Sequence, residues 1–470
     1  MNLRLSLLLL LVSLNAFGQG LGDRIARAYA AFESDPQLKY GISSLTVLNG
    51  NTGQVVFQKN ENTGLASAST LKTVTAATAY YLLGPDFTWE TKLSYTGSIE
   101  NGVLKGDLCI SGGGDPTFGS WRYPATKREV ILGNWIAAVR QAGITRIEGR
   151  VIGDDRIFGS QTLPAGWTWQ DMGNYYGAGP NSLTWHENQF DLHFRPGSRT
   201  GDPAVLVKVD PVLPGVNLVN EVTTGKPGSG DNVYVYSGPY SGVIYLRGTY
   251  GIDLKKVISG SVPDPAFQVA REFADTLIRT GVSVKGISTT ARRLAVAGEQ
   301  IMPESPAVLA MHVSPRLPEV SYWFNQKSIN LYGEHLLKTL GWKKGAGPTT
   351  EEGVKVLQQF WGERAGIEPH AINIMDGSGL SPGNRITTNA MARILQTIRT
   401  EPWFGSFYEG LPVYNNMKMK SGTINDVLGY TGYQTSSSGE PLVFSFIVNN
   451  YSGSASAVRQ KMFKVLDTLK

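Results

Sequence analysis

From about Trp89 to Val296 the chain runs as short β-like stretches broken by glycines, whereas the segments on either side carry helical periodicity and longer strands. That change of texture argues against one continuous core. An α+β unit assembled from the two ends, closing across an inserted β-rich section, fits the pattern. At 470 residues the chain also exceeds a usual single core, so two or three domains are expected.

The ends supply the elements of such a unit. Asp23–Ser34 reads as a helix with Ile25, Tyr29 and Phe32 on one face. Tyr40–Leu48 and Gln54–Lys59 read as strands around the turn Asn49-Gly-Asn-Thr-Gly53. Thr70–Leu83 reads as a helix stopped by Gly84. Beyond Met302, Glu351–Ala365 and Thr388–Thr400 read as helices with capping threonines before them. Met417–Lys420, Tyr430–Thr435 and Leu442–Asn449 read as strands and Ala455–Leu469 as an amphipathic helix. The N-terminal hairpin is expected to complete that C-terminal sheet. Within the middle section, Leu132–Gly143 followed by Ile144 onward echoes Phe267–Gly281 followed by Val282 onward: helix, glycine, strand. Two related halves around a β-rich piece suggest an insertion within an insertion. The expected division is 1–18 as a leader, 19–88 with 302–470 as one domain, 89–183 with 259–301 as a second, and 184–258 as a third nested in the second.

Met1–Arg4 carries one positive charge, Leu5–Leu14 is a short apolar run, and Ala16-Phe17-Gly18 offers small residues for cleavage. This is the pattern of a secretory signal peptide, and the run is too short for a comfortable membrane span. The mature chain is therefore expected outside the cytoplasm, periplasmic or envelope-associated, with no integral membrane segment. Net charge is +5 without a local Lys/Arg cluster, which gives no support to a nucleic-acid partner and suits an anionic wall polymer equally well. The single Cys109 cannot form an internal disulfide and reads as a small buried strand residue. His186, His193, His312, His335 and His370 lack the spacing of a metal site, so no metal or other cofactor is expected.

Three short motifs carry the chemistry. In Ser69-Thr-Leu-Lys72, serine and lysine three apart on a helix share a face, so the lysine nitrogen can reach the hydroxyl. A lysine serves as base only where burial or a neighbouring cation favours its neutral form. Ser328-Ile-Asn330 precedes a helical run, and Lys420-Ser-Gly-Thr423 lies at the end of an edge strand, where Gly422 lets another backbone approach. Each motif alone is a common pattern. Their order, and their placement on helix start, loop before helix and edge strand, form the S-x-x-K, S-x-N, K-[ST]-G signature of penicillin-binding proteins and serine β-lactamases.

The chain resembles the D-alanyl-D-alanine carboxypeptidase/endopeptidase family, the class C low-molecular-mass penicillin-binding proteins, over nearly its whole mature length. The resemblance extends to Gly106-Asp-Leu-Cys-Ile-Ser-Gly-Gly-Gly-Asp-Pro-Thr117, Gly149-Arg-Val-Ile-Gly-Asp-Asp155, Gly166-Trp-Thr-Trp-Gln-Asp171 and Asp376-Gly-Ser-Gly-Leu-Ser381. It implies a transpeptidase/β-lactamase-like α+β domain, an antiparallel sheet flanked by helices, interrupted by a nested two-domain insertion. It implies hydrolysis of D-alanyl bonds in peptidoglycan stem peptides, with β-lactam antibiotics as inhibitors. Ser69 would be the acylated nucleophile and Lys72 its base. Ser328, helped by Lys420, would relay a proton to the leaving amine, while Asn330 would hydrogen-bond the substrate backbone. The N–H groups of Ser69 and Thr423 would form the oxyanion hole. Ser421 and Thr423, with Gly422 between them, would bind the terminal carboxylate. Asp171 and Tyr176 occupy positions that border the stem-peptide side-chain pocket, where an acid can hold the free amine of diaminopimelate. Departures are Ser67 in place of a common proline, Ser421 in place of threonine, Pro382 where an arginine is frequent, and a short segment between Gly410 and Lys420.

Other readings are weaker. Gly379-Leu-Ser-Pro-Gly383 matches G-x-S-x-G, but Pro382 lacks the N–H that such an elbow supplies after its serine. Ser111-Gly-Gly-Gly-Asp115 lacks the Gly-Lys-[Ser/Thr] ending of a phosphate loop. Trp121, Trp135, Trp167 and Trp169 are expected to be packing aromatics. A β-lactamase would share the nucleophile without needing so large an insertion, and a non-catalytic wall-binding relative would not need all three motifs intact.

Overall fold

The computed structural model describes residues 20–299 and 306–470. The expected leader at 1–18 lies outside the described residues. The two chain ends build one six-stranded antiparallel sheet, in the order Val55–Lys59, Ile42–Asn49, Pro441–Asn449, Val427–Thr435, Met417–Ile424 and Val413–Tyr414. The N-terminal hairpin does complete the C-terminal sheet: Ile42 pairs with Asn449 and the ladder runs to Asn49 opposite Leu442. Because successive side chains alternate faces, Leu45, Val47, Phe444, Phe446 and Val448 pack against Ile25, Tyr29 and Phe32 of helix Leu21–Glu33 and Val458 and Met462 of helix Ala455–Leu466. The opposite face carries Val443 and Ile447 into a second core with helices Lys72–Leu83, Asn330–Lys343 and Thr388–Thr397. There Ser44 and Thr46 hydrogen-bond the buried Thr388 hydroxyl at 2.6 and 2.9 Å. This is an α+β core of transpeptidase type. Thr349 and Thr387 cap their helices as expected, accepting from the N–H of Glu352 and Ala390.

The section between has four further sheets. Thr289–Thr290, Val151–Asp154, Leu108–Gly112, Glu90–Tyr95 and Ala307–Val313 form one, and Ser283–Val284, Arg146–Ile147, Val103–Lys105 and Ser98–Glu100 another. The sequence echo has a structural counterpart. Helices Arg128–Gln141 and Pro265–Arg279 turn through Gly143 and Gly281, at φ +75° and +92°, into strands Arg146–Ile147 and Ser283–Val284, which pair in parallel. Val205–Asp210, Gln189–Arg195 and Ile258–Ser261 form a third sheet. Asn217–Asn220, Val243–Gly251, Thr223–Gly225 and Asp231–Tyr236 form a fourth.

Two expected boundaries shift. Ala307–Val313 pairs with Glu90–Tyr95, so the insertion's sheet runs on past residue 302 and the helical layer resumes with Leu317–Gln326. Ile258–Ser261 pairs with Gln189–Arg195, so the nested unit extends beyond residue 258. In both cases the strand's hydrogen bonds go to a strand far away in sequence.

Helix Asn330–Lys343 joins the two bodies, and every residue from Asn330 to Gly341 is buried. Its polar residues are therefore paired across the junction. His335 meets the Thr184 hydroxyl at 3.0 Å and the Gly114 carbonyl at 2.8 Å, and burial holds its pKa down at about 3. The Tyr332 hydroxyl donates at 2.8 Å to Glu187, which is fully buried and also receives Arg122 and Ser120. Glu187 sits in a run of three left-handed residues, His186 to Asn188 at φ +55°, +52° and +53°, each costing about 1–3 kcal/mol. The ion pair and its hydrogen bonds hold that conformation. Arg122→Met, which strands the Glu187 carboxylate, is expected to cost about 3–5 kcal/mol, read as a clear fall in the thermal unfolding midpoint.

Candidate active site

Ser69 lies in a 3₁₀ turn, Ala68–Leu71, that leads directly into helix Lys72–Leu83. Ala68, just before it, holds φ +46°, a conformation a non-glycine residue adopts only where its surroundings impose it. Two glycines impose it here. A Cβ on Gly379 would lie 1.9 Å from the Ala68 carbonyl oxygen, and one on Gly422 would lie 2.6 Å from the Ser67 oxygen and 2.8 Å from the Ser69 nitrogen. The turn is thus clamped between strand Met417–Ile424 and the Asp376–Ser381 loop. Ser67 is wholly buried and its hydroxyl has no hydrogen-bond partner, a local cost of this tight packing.

Lys72 is completely buried. Its Nζ lies 2.9 Å from Ser69 Oγ, 2.6 Å from Asn330 Oδ1 and 2.6 Å from the Ser378 carbonyl oxygen. The Asn330 amide is oriented by its Nδ2, which donates at 2.8 Å to the Tyr176 carbonyl. Asn330 Oδ1 and Ser378 O can only accept, so they take two N–H groups of a neutral amine. Its remaining lone pair then faces the Ser69 hydroxyl. Burial pushes the Lys72 pKa well below the ordinary lysine range and the positive charge of Lys420 pushes it the same way, while Asp376 and Glu334 oppose them. The arrangement can draw a proton from Ser69 and make it a nucleophile.

Lys420 is also buried, donates at 2.8 Å to the Ser421 carbonyl, and is brought by burial to about 7. Beside it, Thr423 is exposed and Ser421 half-buried on the open edge of the sheet, since the outermost strand Val413–Tyr414 pairs only with Lys418 and Met417. Ser328 stands at φ +56°, half-buried, two residues before the Asn330 that binds Lys72. Ser328 and Asn330 line a cavity of about 620 Å³ with Arg122, Tyr175, Tyr176 and Tyr234 of the insertion.

Ser69, Lys72 and Asn330 are thus in hydrogen-bonding contact, with Lys420 close enough to act on Lys72 and Gly422 packed on the Ser69 turn. Tyr176 joins them through its carbonyl and through the cavity wall. Asp171 lies on the neighbouring turn, where its carboxylate accepts from the Thr168 hydroxyl at 2.8 Å and, with burial as the larger cause, raises the pKa of Tyr176. Of the tryptophans, Trp135 and Trp167 are buried, but Trp121 and Trp169 are 42% and 58% exposed, contrary to the expected packing role.

Two carboxylates support the site, Asp376 of the Asp376–Ser381 stretch and Glu334, which the sequence reading did not single out. Asp376 is fully buried and organises its loop, accepting from the N–H groups of Gly379 and Ser381 at 2.7 and 2.6 Å, from Asn384 at 2.8 Å and from Trp167 Nε1 at 2.9 Å. Glu334 accepts from the Gly377 N–H at 3.0 Å, and burial together with the Asp376 charge raises its pKa. Its position, four residues after Asn330 on the same helix face, was the available signal. Among the described residues no group of His, Cys, Asp and Glu has the arrangement of a metal site.

The profile of the D-Ala-D-Ala carboxypeptidase 3 (S13) family matches residues 26–469. The chain belongs to this family. It is a serine-type D-Ala-D-Ala carboxypeptidase. A D-alanyl-D-alanine carboxypeptidase of Actinomadura sp. (strain R39) is 27% identical, over 90% of this chain and 81% of that protein. The D-alanyl-D-alanine carboxypeptidase DacB of Haemophilus influenzae is 25% identical, over 86% of this chain and 84% of that protein. The crystal structure of penicillin-binding protein 4 from Haemophilus influenzae superimposes with a TM-score of 0.79 at 21% identity, covering 93% of this chain and 98% of the other. That protein has also been solved in complex with a β-lactam.

The clamp on the nucleophile is open to test. Gly422→Ala, by pushing strand and turn apart, is expected to slow acylation by fluorescent penicillin about 100-fold, the scale of a misplacement near 1 Å, with folding retained by circular dichroism.

Proposed function

We propose that this DD-peptidase is exported and acts through a Ser69 acyl-enzyme, removing terminal D-alanine from stem peptides and cutting D-alanyl–diaminopimelate cross-links. The observation that carries this reading is the buried Lys72, poised between Ser69 and two groups that can only accept. Neutral Lys72 takes the Ser69 proton as Oγ attacks the D-alanyl carbonyl. The resulting oxyanion is met by the N–H groups of Ser69 and Thr423, consistent with the contact between Gly422 and the Ser69 nitrogen. Ser328, assisted by Lys420, passes a proton to the departing amine, and the C–N bond breaks. Water then attacks the ester and restores Ser69. The hydroxyls of Ser421 and Thr423, on the exposed edge, and the Lys420 charge hold the terminal carboxylate. Asp171 and Tyr176 border the stem-peptide side chain. β-Lactams acylate the same Ser69. The basic and apolar runs at Met1–Arg4 and Leu5–Leu14 support export.

Digestion of purified muropeptides compares wild type with Ser69→Ala. The wild type alone is expected to release D-alanine or resolve cross-linked dimers, and equal products from both would sink the reading. A stable penicillin adduct on Ser69 separates a peptidase from a β-lactamase, which would turn the drug over.

The pH profile gives a second check. Lys72 must be neutral, so kcat/KM rises with pH through its lowered pKa. Lys420 must be charged, so kcat/KM falls again as pH passes about 7. Lys420→Gln removes a charge that lowers the Lys72 pKa, so the acid limb of penicillin acylation is expected to move to higher pH.

A further inference from the structure

The nested unit presents a sheet face that the reaction does not use. Along strand Asp231–Tyr236, Val233 and Val235 point into the core, while Asn232, Tyr234 and Tyr236 point outward. Their partners on strand Val243–Gly251 repeat the pattern. Ile244 and Leu246 are buried, and Tyr245 and Arg247 face outward opposite Tyr236 and Tyr234. The solvent side of a half-buried sheet ordinarily carries polar residues, and here it carries three tyrosines. Arg247 holds them in place, its guanidinium 5.4 Å from the Tyr236 ring and 5.1 Å from the Tyr245 ring, with Glu221 paired to it at 2.7 Å. Trp169, more than half exposed, meets Tyr236 edge to face at 5.1 Å. Val219, 37% exposed, extends the shelf beside Tyr245.

The shelf leads to the active site. Tyr234, with its ring 6.5 Å from that of Tyr236, is itself a wall of the cavity that contains Ser328 and Asn330. A row of rings therefore runs from Tyr245 through Tyr236 to Tyr234 and into the cavity lined by Ser328 and Asn330.

We infer that this shelf binds the glycan strand to which the stem peptides are attached. The inference rests on the wall-polymer substrate proposed above. A pyranose ring has an apolar C–H face and a polar hydroxyl edge, which suits flat aromatic side chains with polar groups between them. Arg247 is paired with Glu221 at 2.7 Å and, where the shelf meets the cavity, Lys256 with Asp231 at 3.0 Å, so these charges are matched and the surface fits an uncharged polymer better than a polyanion. The rings are already braced, so little freedom is lost on binding. A glycan held there would deliver its pendant peptide into the cavity beside Ser328.

The test uses the full chain and a double variant, Tyr236→Ala with Tyr245→Ala. Calorimetric titration with the N-acetylglucosamine hexamer, which has no peptide, should give saturable binding to the wild type. Binding to the double variant should be weaker by roughly tenfold or more, as expected on removing aromatic anchors. The Tyr236→Phe, Tyr245→Phe pair keeps the rings and should bind within about twofold of wild type, which excludes a folding defect. Cleavage of polymeric wall should fall with the glycan affinity, while kcat/KM on a soluble pentapeptide stays unchanged. The inference is overturned if the wild type does not bind the hexamer, if the alanine pair binds it equally well, or if soluble and polymeric substrates lose activity in parallel. Failure of the wild type to cut any peptide would instead count against the function proposed above, and the titration would still decide the glycan site.

Discussion

The active site depends on keeping a lysine amine out of water. Exposed, Lys72 would be protonated at neutral pH and unable to accept from Ser69. Complete burial makes the charged form costly, and the nearby Lys420 makes it costlier. Burial alone would leave polar hydrogens unpaired, and the Asn330 and Ser378 oxygens remove that penalty while fixing where the lone pair points. Asp376 and Glu334 pull in the opposite direction and moderate the shift. Thr75 and Glu334 hold the Gly377 peptide from its two ends, the hydroxyl donating at 2.7 Å to the carbonyl and the carboxylate accepting from the N–H. The carbonyl that binds Lys72 is thereby held in place.

Such an arrangement needs backbones in contact, and glycines supply the room. Gly422 sets the edge strand against the Ser69 turn. Gly379 sets the loop against Ala68, and Gly333 and Gly377 let helix and loop touch, a Cβ on Gly377 lying 2.4 Å from the Gly333 oxygen. The backbone strain at Ala68 persists because these contacts hold the turn on both sides.

What could be read from the chain follows from the range of the interactions involved. Ser69 and Lys72 are three residues apart on one helical turn, so their contact is local and the motif predicts it. The sheet that unites the two ends was legible because Leu442–Asn449 is apolar but for Ser445 and Asn449 and the N-terminal hairpin carries its own turn signal. Ala307–Val313 was misplaced since nothing nearby indicates that it pairs with Glu90–Tyr95. Glu334 was hidden for a similar reason: a helical glutamate looks solvated until the insertion covers its helix. Trp169 read as a packing residue because an indole in a β-rich stretch is usually buried, and only the neighbouring Tyr236 ring shows what it faces.

The insertion does more than decorate this core. Asn330, His335, Tyr332 and Lys338 are on the catalytic side of the junction, yet each is satisfied by a group of the insertion: the Tyr176 carbonyl, Thr184 and Gly114, Glu187, and the Phe158 carbonyl at 3.3 Å. Swinging the insertion away would break all of these hydrogen bonds, so together they hold it against the helix and shape the cavity between them. Division of labour follows from that rigidity. The layer around the six-stranded sheet carries Ser69, Lys72, Lys420, Ser421 and Thr423 on its own strands and helices, and the insertion supplies one wall of the cavity that Ser328 and Asn330 line. Wall residues such as Tyr175 and Tyr234 can therefore change without touching Lys72 directly. The exception is Asn330, whose amide answers to both sides: it hydrogen-bonds Lys72 with one atom and the insertion with the other, so any shift of the Tyr176 turn reaches the Lys72 amine through a single side chain.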